Sequence, residues 1–301
     1  MKRFWGYLSA LMVSLLFGVW FSLDKTLLNY LHPLALAALT YFIAAIFLFF
    51  IRFSPLNKII LNFINWEADV EKYIKRKDYF ILFLTAIFGT VLAPAIYLIG
   101  LNQITAVNAA LLANVEILFI IIIGVFFLKE KVNLKDIFGF SFILVGAIFL
   151  STNNLQNFSL DPSLYGNLMV IAATFFWSLD TSLSKFLSKK ENIIFVTALK
   201  CAIGGLILLI IAISLGLNFS LPLRIIPLLL FISMVCVSFS LVLIYFAIRE
   251  IGSTRTGSIF AFSSLFGAVT AYFVLGEPLG LTQLLLGVLM LSGVIILYKN
   301  D

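Results

Sequence analysis

The sequence predicts an all-α membrane protein with ten transmembrane helices, arranged as two inverted five-helix repeats. Three observations lead to this fold class. The chain of 301 residues is 62% hydrophobic and only 11% charged, so lipid must replace water over most of its surface. Its basic residues collect on alternate connections between apolar runs, and segments of its two halves can be aligned with each other.

The apolar runs have the lengths of membrane helices, because about 17–25 residues cross a hydrocarbon core about 30 Å thick. The first run follows two basic residues, as in a signal peptide. It is too long for the apolar region of a signal peptide, and we interpret it as a retained first helix. The ten predicted spans are 6–26, 33–51, 80–100, 106–128, 134–151, 165–187, 193–215, 225–247, 254–275 and 281–298.

The basic residues predict the orientation. Of the 20 lysines and arginines, 17 fall on the side that carries the N-terminus, against Lys25 and Arg224 on the other side and Lys200 within span seven. The positive-inside rule then places both termini in the cytoplasm of a multi-pass protein of the cell (inner or plasma) membrane. Topology thus explains the net charge of +6, and no nucleic-acid partner is expected. The connection 52–79 is predicted to lie on the cytoplasmic membrane surface, with a solvated tether as the alternative.

The two halves contain an internal duplication. Residues 98–131 align with 245–278 at an offset of 147, and FSLDK at 21–25 aligns with WSLDT at an offset of 156. We divide the chain into a first repeat, 1–152, and a second repeat, 165–301. Because each repeat has five spans, the second must enter the membrane from the opposite side. Inverted repeats are typical of secondary transporters, whose halves exchange conformations around a central site.

This pattern resembles a known family. The ten spans, the five-plus-five duplication and the segments FLKEK and VLGEP, which close spans four and nine, resemble the EamA family of the drug/metabolite transporter superfamily. The stretch 251–297 carries the most specific part of the resemblance, which covers nearly the whole chain. It implies movement of amino acids, other small metabolites or drugs. Many members have a proline midway along spans four and nine, where this chain has Ile117 and Ser264.

Four polar residues within the spans are candidates for binding substrate or protons. Glu116 lies near the middle of span four, where a charge costs roughly 2.5–3.5 kcal/mol, so it should face the protein interior or a wet cavity. It could exchange a proton, hold a cationic or amine-bearing substrate, or form a structural hydrogen bond. On the same helix, Asn108 is expected to line the same cavity and Asn114 to bond another helix. Lys200 should either snorkel to the headgroups or pair with an acidic group or a substrate anion.

Two pairs lie in the first spans of each half, and the alignment relates the two aspartates to each other. Asp24 and Asp180 are expected near opposite mouths of the protein, either as gates or as ordinary interfacial residues. Trp20 and Trp177 precede these aspartates, and they could wall a ligand cavity or anchor the helices at the bilayer interface.

Two further pairs occupy spans three, four, eight and nine. Tyr97 and Tyr245 are candidates for the cavity wall, with the interface again as the alternative. Glu130 and Glu277 lie at span ends, where we expect them to cap or lock neighbouring helices and not to meet substrate.

The functional prediction is a secondary active transporter that moves a small metabolite by alternating access, with protons as a candidate coupling ion. One histidine and two cysteines in apolar runs provide no catalytic set, and we expect neither an enzyme, nor a cofactor, nor a metal site. The alternatives are an uncoupled facilitator or channel and a membrane-embedded assembly protein that does not transport. The expected partners are a small-molecule substrate and the lipid bilayer, and the protein would be a monomer or homodimer.

Overall fold

The computed structural model describes residues 2–65, 70–128, 134–151 and 162–298, and their regular structure is helical apart from one isolated bridge. The first half contains α1 (Lys2–Leu27), α2 (Pro33–Phe53), α3 (Leu56–Ile64), α4 (Arg76–Ala86), α5 (Ala93–Gln103), α6 (Ala106–Leu112), α7 (Val115–Leu128) and α8 (Leu134–Ser151). The second half contains α9 (Pro162–Leu187), α10 (Ile193–Ser214), α11 (Ile226–Phe231), α12 (Ser240–Ile251), α13 (Ser253–Phe260), α14 (Ser263–Thr270) and α15 (Leu281–Tyr298).

Each predicted span falls on a described helix or on consecutive helices. Six segments of the described chain are long and apolar enough to cross a membrane: Arg3–Leu27, Pro33–Phe53, Arg76–Gln103, Ala106–Ile123, Ile193–Ser214 and Leu223–Ile251. The other four predicted spans correspond to three shorter apolar helices and to α9, which has 26 residues but more polar side chains. The all-helical class is confirmed, and the count of ten spans stays a prediction.

Spans three and eight are interrupted at equivalent places. A π-helical turn, Ile87–Leu92, joins α4 to α5, and another, Ile232–Phe239, joins α11 to α12. Such turns often mark functional sites in long helices, because the extra residue redirects side chains and loosens the backbone ladder.

Spans four and nine are also interrupted, although neither has a proline at its middle. The amide of Glu116 bonds the carbonyl of Ala113 three residues back, and the amide of Ser264 bonds that of Ala261 in the same way. These tight turns separate α6 from α7 and α13 from α14. The offset of 147 pairs Glu116 with Ser263. The backbone turns instead pair Glu116 with Ser264, which is one residue further along the chain.

The packing of helices is unchanged when the two halves are exchanged. α2 packs on α10, α6 on α14 and α8 on α15, and each of these is a contact between counterparts. α1 packs on α12 and α14, while its counterpart α9 packs on α5 and α7. The first helix of each half thus inserts into the other half, and the core lies where the two halves meet.

The connection between α2 and α4 contains the amphipathic helix α3. Its apolar residues Leu56, Ile59 and Phe63 are exposed, as expected for a helix lying on a membrane surface. The chain then meets the α9–α10 loop, where the amide of Glu71 bonds the carbonyl of Lys189 and the amide of Glu191 bonds the carbonyl of Glu71. This short bridge ties the first half to the second.

Candidate functional site

A buried ion pair lies at the centre of the second half. The Lys200 ammonium donates to both carboxylate oxygens of Asp180, at 2.6 Å each. Lys200 is only 1% exposed and Asp180 only 8%. Lys200 therefore does not snorkel to the headgroups; it takes the other expected role and pairs with an acidic group. Asp180 is buried inside the protein, and its role as a gate stays a prediction.

The first half is shaped to receive this ion pair. Gly89, in the π-helical turn of span three, faces the carboxylate, and a Cβ at that position would lie 2.0 Å from Asp180 Oδ2. The neighbouring Thr90 hydroxyl donates to the carbonyl of Ala86 at 2.7 Å and lies 3.2 Å from the carbonyl of Lys200. Only glycine leaves room for the carboxylate here, because a larger residue would displace it from the lysine.

Ser184 extends the ion pair into a hydrogen-bond network. Lying one helical turn after Asp180, it donates to Asp180 Oδ1 at 3.1 Å and can accept from the Tyr245 hydroxyl at 3.2 Å. The Lys200 ammonium also lies 5.6 Å from the centre of the Tyr245 ring, within the range of a cation–π contact. These contacts satisfy the buried charges, which would otherwise be costly to hold away from water.

Glu116 lies on the other side of the same cavity. It is 7% exposed, and its carboxyl accepts a hydrogen bond from the Thr181 hydroxyl at 3.1 Å. Because Thr181 follows Asp180 directly on α9, these two adjacent residues link Glu116 to the ion pair. Glu116 is the second residue of α7, just after the tight turn, so a change in that turn would move its carboxyl.

A cavity of about 30 Å³ connects these groups. Its polar lining consists of Glu116, Asp180, Thr181, Ser184 and Lys200, and its aromatic lining consists of Phe17, Tyr41, Trp177 and Phe260. A cavity needs roughly 10–15 Å³ on this measure to hold one water molecule, so this one accommodates one or two. The helices must therefore move apart before a metabolite can enter.

The aromatic candidates are all buried. Trp20 is 2% exposed, Trp177 7%, Tyr97 1% and Tyr245 0%, so all four side chains pack inside the protein and not on its outer surface. Trp177 stacks on Phe21 at 5.4 Å between ring centres and lies 5.2 Å from the Tyr97 ring. Trp177 itself lines the cavity, whereas the lining does not include Trp20 or Tyr97.

The two asparagines of span four bond to other helices. The Asn108 carbonyl accepts from the Gln283 amide at 2.6 Å, and the Asn114 amide donates to the Ser264 hydroxyl at 3.0 Å. Asn108 is not among the residues that line the cavity in this closed arrangement.

The remaining candidates lie apart from the cavity. Glu277 accepts hydrogen bonds from the amides of Ala106 and Val107, both at 3.0 Å, and so caps the start of α6. Glu130 lies outside the described residues. Asp24 is 1% exposed and away from the cavity, and its Oδ1 makes no hydrogen bond within the described chain.

Three contributing residues were missed from the sequence: Gly89, Thr181 and Ser184. A signal existed for the last two, since they stand one and four residues after Asp180 and so lie beside it or on the same helical face. Gly89 had no such signal, because its role depends on a tertiary contact between two halves of the chain.

A helical fold of two repeats with a buried polar cavity at their junction is an arrangement found in membrane transporters. The chain belongs to the EamA-like transporter family, whose sequence model matches residues 4–152 and 164–299. This membership confirms the resemblance deduced from the sequence and the expectation of a transporter and not an enzyme.

Relatives and a solved structure agree with this assignment. An uncharacterized transporter of Methanothermobacter thermautotrophicus is 48% identical over all of this chain and 88% of its own length. The uncharacterized transporter YyaM of Bacillus subtilis is 25% identical over all of this chain and 98% of its own. A solved crystal structure with 15% sequence identity covers 96% of this chain and 95% of its own, with a TM-score of 0.65, and shares the fold.

Proposed function

We propose that this protein is a secondary active transporter that carries a small zwitterionic metabolite, such as an amino acid, across the cell membrane. It works by alternating access between two inverted five-helix halves. The observation that carries the proposal is the cavity at the junction of the halves. There, a carboxylate–ammonium pair and a separate carboxyl group face each other between aromatic walls.

The ion pair gives a physical reason for a zwitterionic substrate. Asp180 and Lys200 neutralise each other in the closed cavity, where a lone charge would be expensive. A substrate with its own ammonium and carboxylate can replace the pair by two new pairs, one to each side chain. The net charge of the cavity then stays constant, and its aromatic walls can contact an apolar side chain of the substrate.

Alternating access is supported by the exchangeable packing of the halves and by their equivalent interruptions. Four spans contain a π-helical turn or a tight turn near the cavity, and such places can bend at modest cost. If the repeats are inverted, exchange of their conformations opens the cavity to the other side. The basic residues favour an orientation with both termini in the cytoplasm.

Glu116 is the proposed proton-coupling group. It lies beside the ion pair without a cation of its own among its described contacts, so a proton or a substrate amine has to balance its charge. The Thr181 hydroxyl can bond either the protonated or the ionised carboxyl. Proton exchange can therefore occur without loss of this contact.

The test is transport by purified protein in proteoliposomes, with a panel of amino acids and amines, with and without a pH gradient. Accumulation of a zwitterion that increases with the gradient is expected for the wild type. The Glu116→Gln variant keeps the size and hydrogen bonding of the side chain, so it should insert and exchange substrate but lose the response to the gradient. The exposed Glu191→Gln is the matched control and should respond like the wild type.

The same experiment separates the alternatives. A facilitator or channel would equilibrate substrate at the same rate with or without the gradient, and an assembly protein would move none of the panel. Unchanged pH dependence in Glu116→Gln would remove the coupling role from this residue while leaving transport itself in place.

A further inference from the structure

Four cations stand close together in the connection between α2 and α4. The segment KYIKRK at 72–77 contains Lys72, Lys75, Arg76 and Lys77, and all four residues are exposed. The excess of basic residues on one side of the membrane explains the side on which they lie. It does not explain why four of the 17 basic residues of that side fall within this one short segment.

The acidic residues that flank these cations are already paired. The buried Lys190 ammonium of the α9–α10 loop lies 2.6 Å from Glu71 Oε2 and 2.8 Å from Asp78 Oδ2. Asp78 also accepts a hydrogen bond from the amide of Lys75 at 2.7 Å. Within the ranges that the structure describes, no carboxylate forms an ion pair with any of the four cations. The segment therefore presents a positive charge that the described chain does not balance.

The stability of α4 does not account for these cations. The N-terminal end of a helix carries a partial positive charge, and α4 begins at Arg76. Lys75, Arg76 and Lys77 lie at this end, where a further positive charge is unfavourable. Asp78 is the only acidic residue in the first turn of α4. An anion from outside the chain would relieve the repulsion.

The amphipathic helix α3 is held beside this segment. The Asn65 side-chain amide, at the end of α3, donates to the carbonyl of Glu191 at 2.7 Å. The backbone amide of Glu191 in turn bonds the carbonyl of Glu71 at 3.1 Å, directly before the basic segment. Arg249 fixes the same end of α3, because its guanidinium donates to Asn65 Oδ1 at 3.0 Å. α3 and the basic segment are therefore neighbours on one side of the protein.

Apolar side chains around the cations indicate the level of the membrane surface. Leu56, Ile59 and Phe63 of α3 are exposed, and so are Tyr79 and Phe80 near the start of α4. Exposed apolar and aromatic side chains of this kind contact lipid at the boundary between headgroups and hydrocarbon. The cations of segment 72–77 therefore lie at the depth of the lipid headgroups.

We propose that α3 and the basic segment 72–77 bind anionic phospholipids of the adjacent leaflet, which the basic residues predict to be the cytoplasmic one. The lipid phosphates pair with the four cations, and the apolar tails contact the exposed face of α3. Clusters of about 4–8 cations beside a membrane helix or on an amphipathic helix attract anionic lipids in this way. A soluble anion or an acidic protein would match the cations but not the apolar face, whereas a lipid matches both.

The test is the melting temperature of purified wild-type protein in neutral detergent at low ionic strength, with phosphatidylglycerol or phosphatidylcholine of the same acyl chains. A ligand that binds only the folded state raises this temperature. We expect a larger rise with phosphatidylglycerol. The difference between the lipids should disappear in about 1 M salt, where charges are screened beyond about 3 Å. Equal rises with both lipids, or the same rise with inorganic phosphate alone, would overturn the proposal.

Two double variants locate the response. Lys72→Gln with Lys77→Gln removes half of the cations of the segment and should lose at least half of the difference between the lipids. Arg224→Gln with Arg255→Gln removes the same charge elsewhere and should keep the full difference. None of the four side chains is buried, so both variants should fold. Equal responses of the two variants would also overturn the proposal. The assay needs no substrate, so its failure is distinct from failure of the proposed transport function.

Discussion

At the scale of single residues, the cavity depends on charges that are balanced by nearby groups. Lys200 and Asp180 satisfy each other, Ser184 and Tyr245 complete the network, and Gly89 makes room for the carboxylate. Loss of one member of a buried ion pair leaves an uncompensated charge, whereas loss of both members leaves none. The energetic value of the pair therefore differs from the cost of breaking it.

This difference predicts the behaviour of three variants of the ion pair. Lys200→Met or Asp180→Asn alone should destabilise the protein by about 3–5 kcal/mol, because each leaves a buried charge without its partner. The double variant should recover most of that stability and still fail to transport a zwitterion. Thermal unfolding and proteoliposome uptake measure the two effects. Equal stability of the single and double variants would contradict the prediction.

At the scale of elements, the bridge between the α2–α4 connection and the α9–α10 loop ties the halves together on one side. The Lys190 ammonium lies 2.6 Å from Glu71 Oε2 and 2.8 Å from Asp78 Oδ2. Burial alone would lower the pKa of Lys190, but its hydrogen bonds to Asp78 and Glu71 raise it overall. The hydrogen bond and charge of Lys190 in turn lower the pKa of Glu71.

These pKa directions give the pH dependence of the bridge. A carboxyl with a lowered pKa stabilises the folded contact above its usual pKa, and that contribution disappears as the pH falls through the lowered value. A lysine with a raised pKa stabilises the contact below its usual pKa and loses this effect only at more alkaline pH. The ion pair is therefore intact throughout the physiological range.

We predict that Lys190→Gln loosens the bridge at neutral pH. The backbone of the connection should then open more often, so limited trypsin digestion should cut faster after Arg76 and Lys77. The neighbouring Lys189→Gln is the matched control, because Lys189 contributes its carbonyl to the bridge and not its side chain. Equal cutting of the two variants would show that the ion pair does not hold the connection.

At the scale of the whole molecule, the pattern of contacts between helices stays the same when the two halves are exchanged. α2 and α10 are counterparts in this pattern, and Phe53 and Leu215 lie at their C-terminal ends, both well exposed. Inverted repeats place these two ends on opposite sides of the membrane, whereas parallel repeats place them on the same side.

Cysteine labelling in intact cells tests this orientation. Both natural cysteines are buried and should not react, so single cysteines can be introduced without removing them. We predict that a membrane-impermeant maleimide labels Leu215→Cys from outside, and that Phe53→Cys reacts only after the membrane is opened. Labelling of both positions from the same side would exclude the inverted arrangement.

The sequence was sufficient for the helical class and the duplication, because these depend on composition, periodicity and spacing along the chain. The family followed from a resemblance that covers nearly the whole chain. The sequence also identified Glu116 as an interior polar residue and Asp180 and Lys200 as candidates, since a charge within an apolar run is costly. It did not pair Asp180 with Lys200 or find Gly89. Those facts depend on tertiary contacts between α9, α10 and the turn of span three. Local sequence patterns do not predict such contacts.

Phe21 and Trp177 occupy the same position of the two repeats, and their rings stack on each other. A residue that touches its own counterpart must lie on the axis that relates the halves. If both halves derive from one gene, a single codon once supplied both faces of this contact, and each mutation there changed both rings together. Fusion of the two copies would then have freed the rings to change separately.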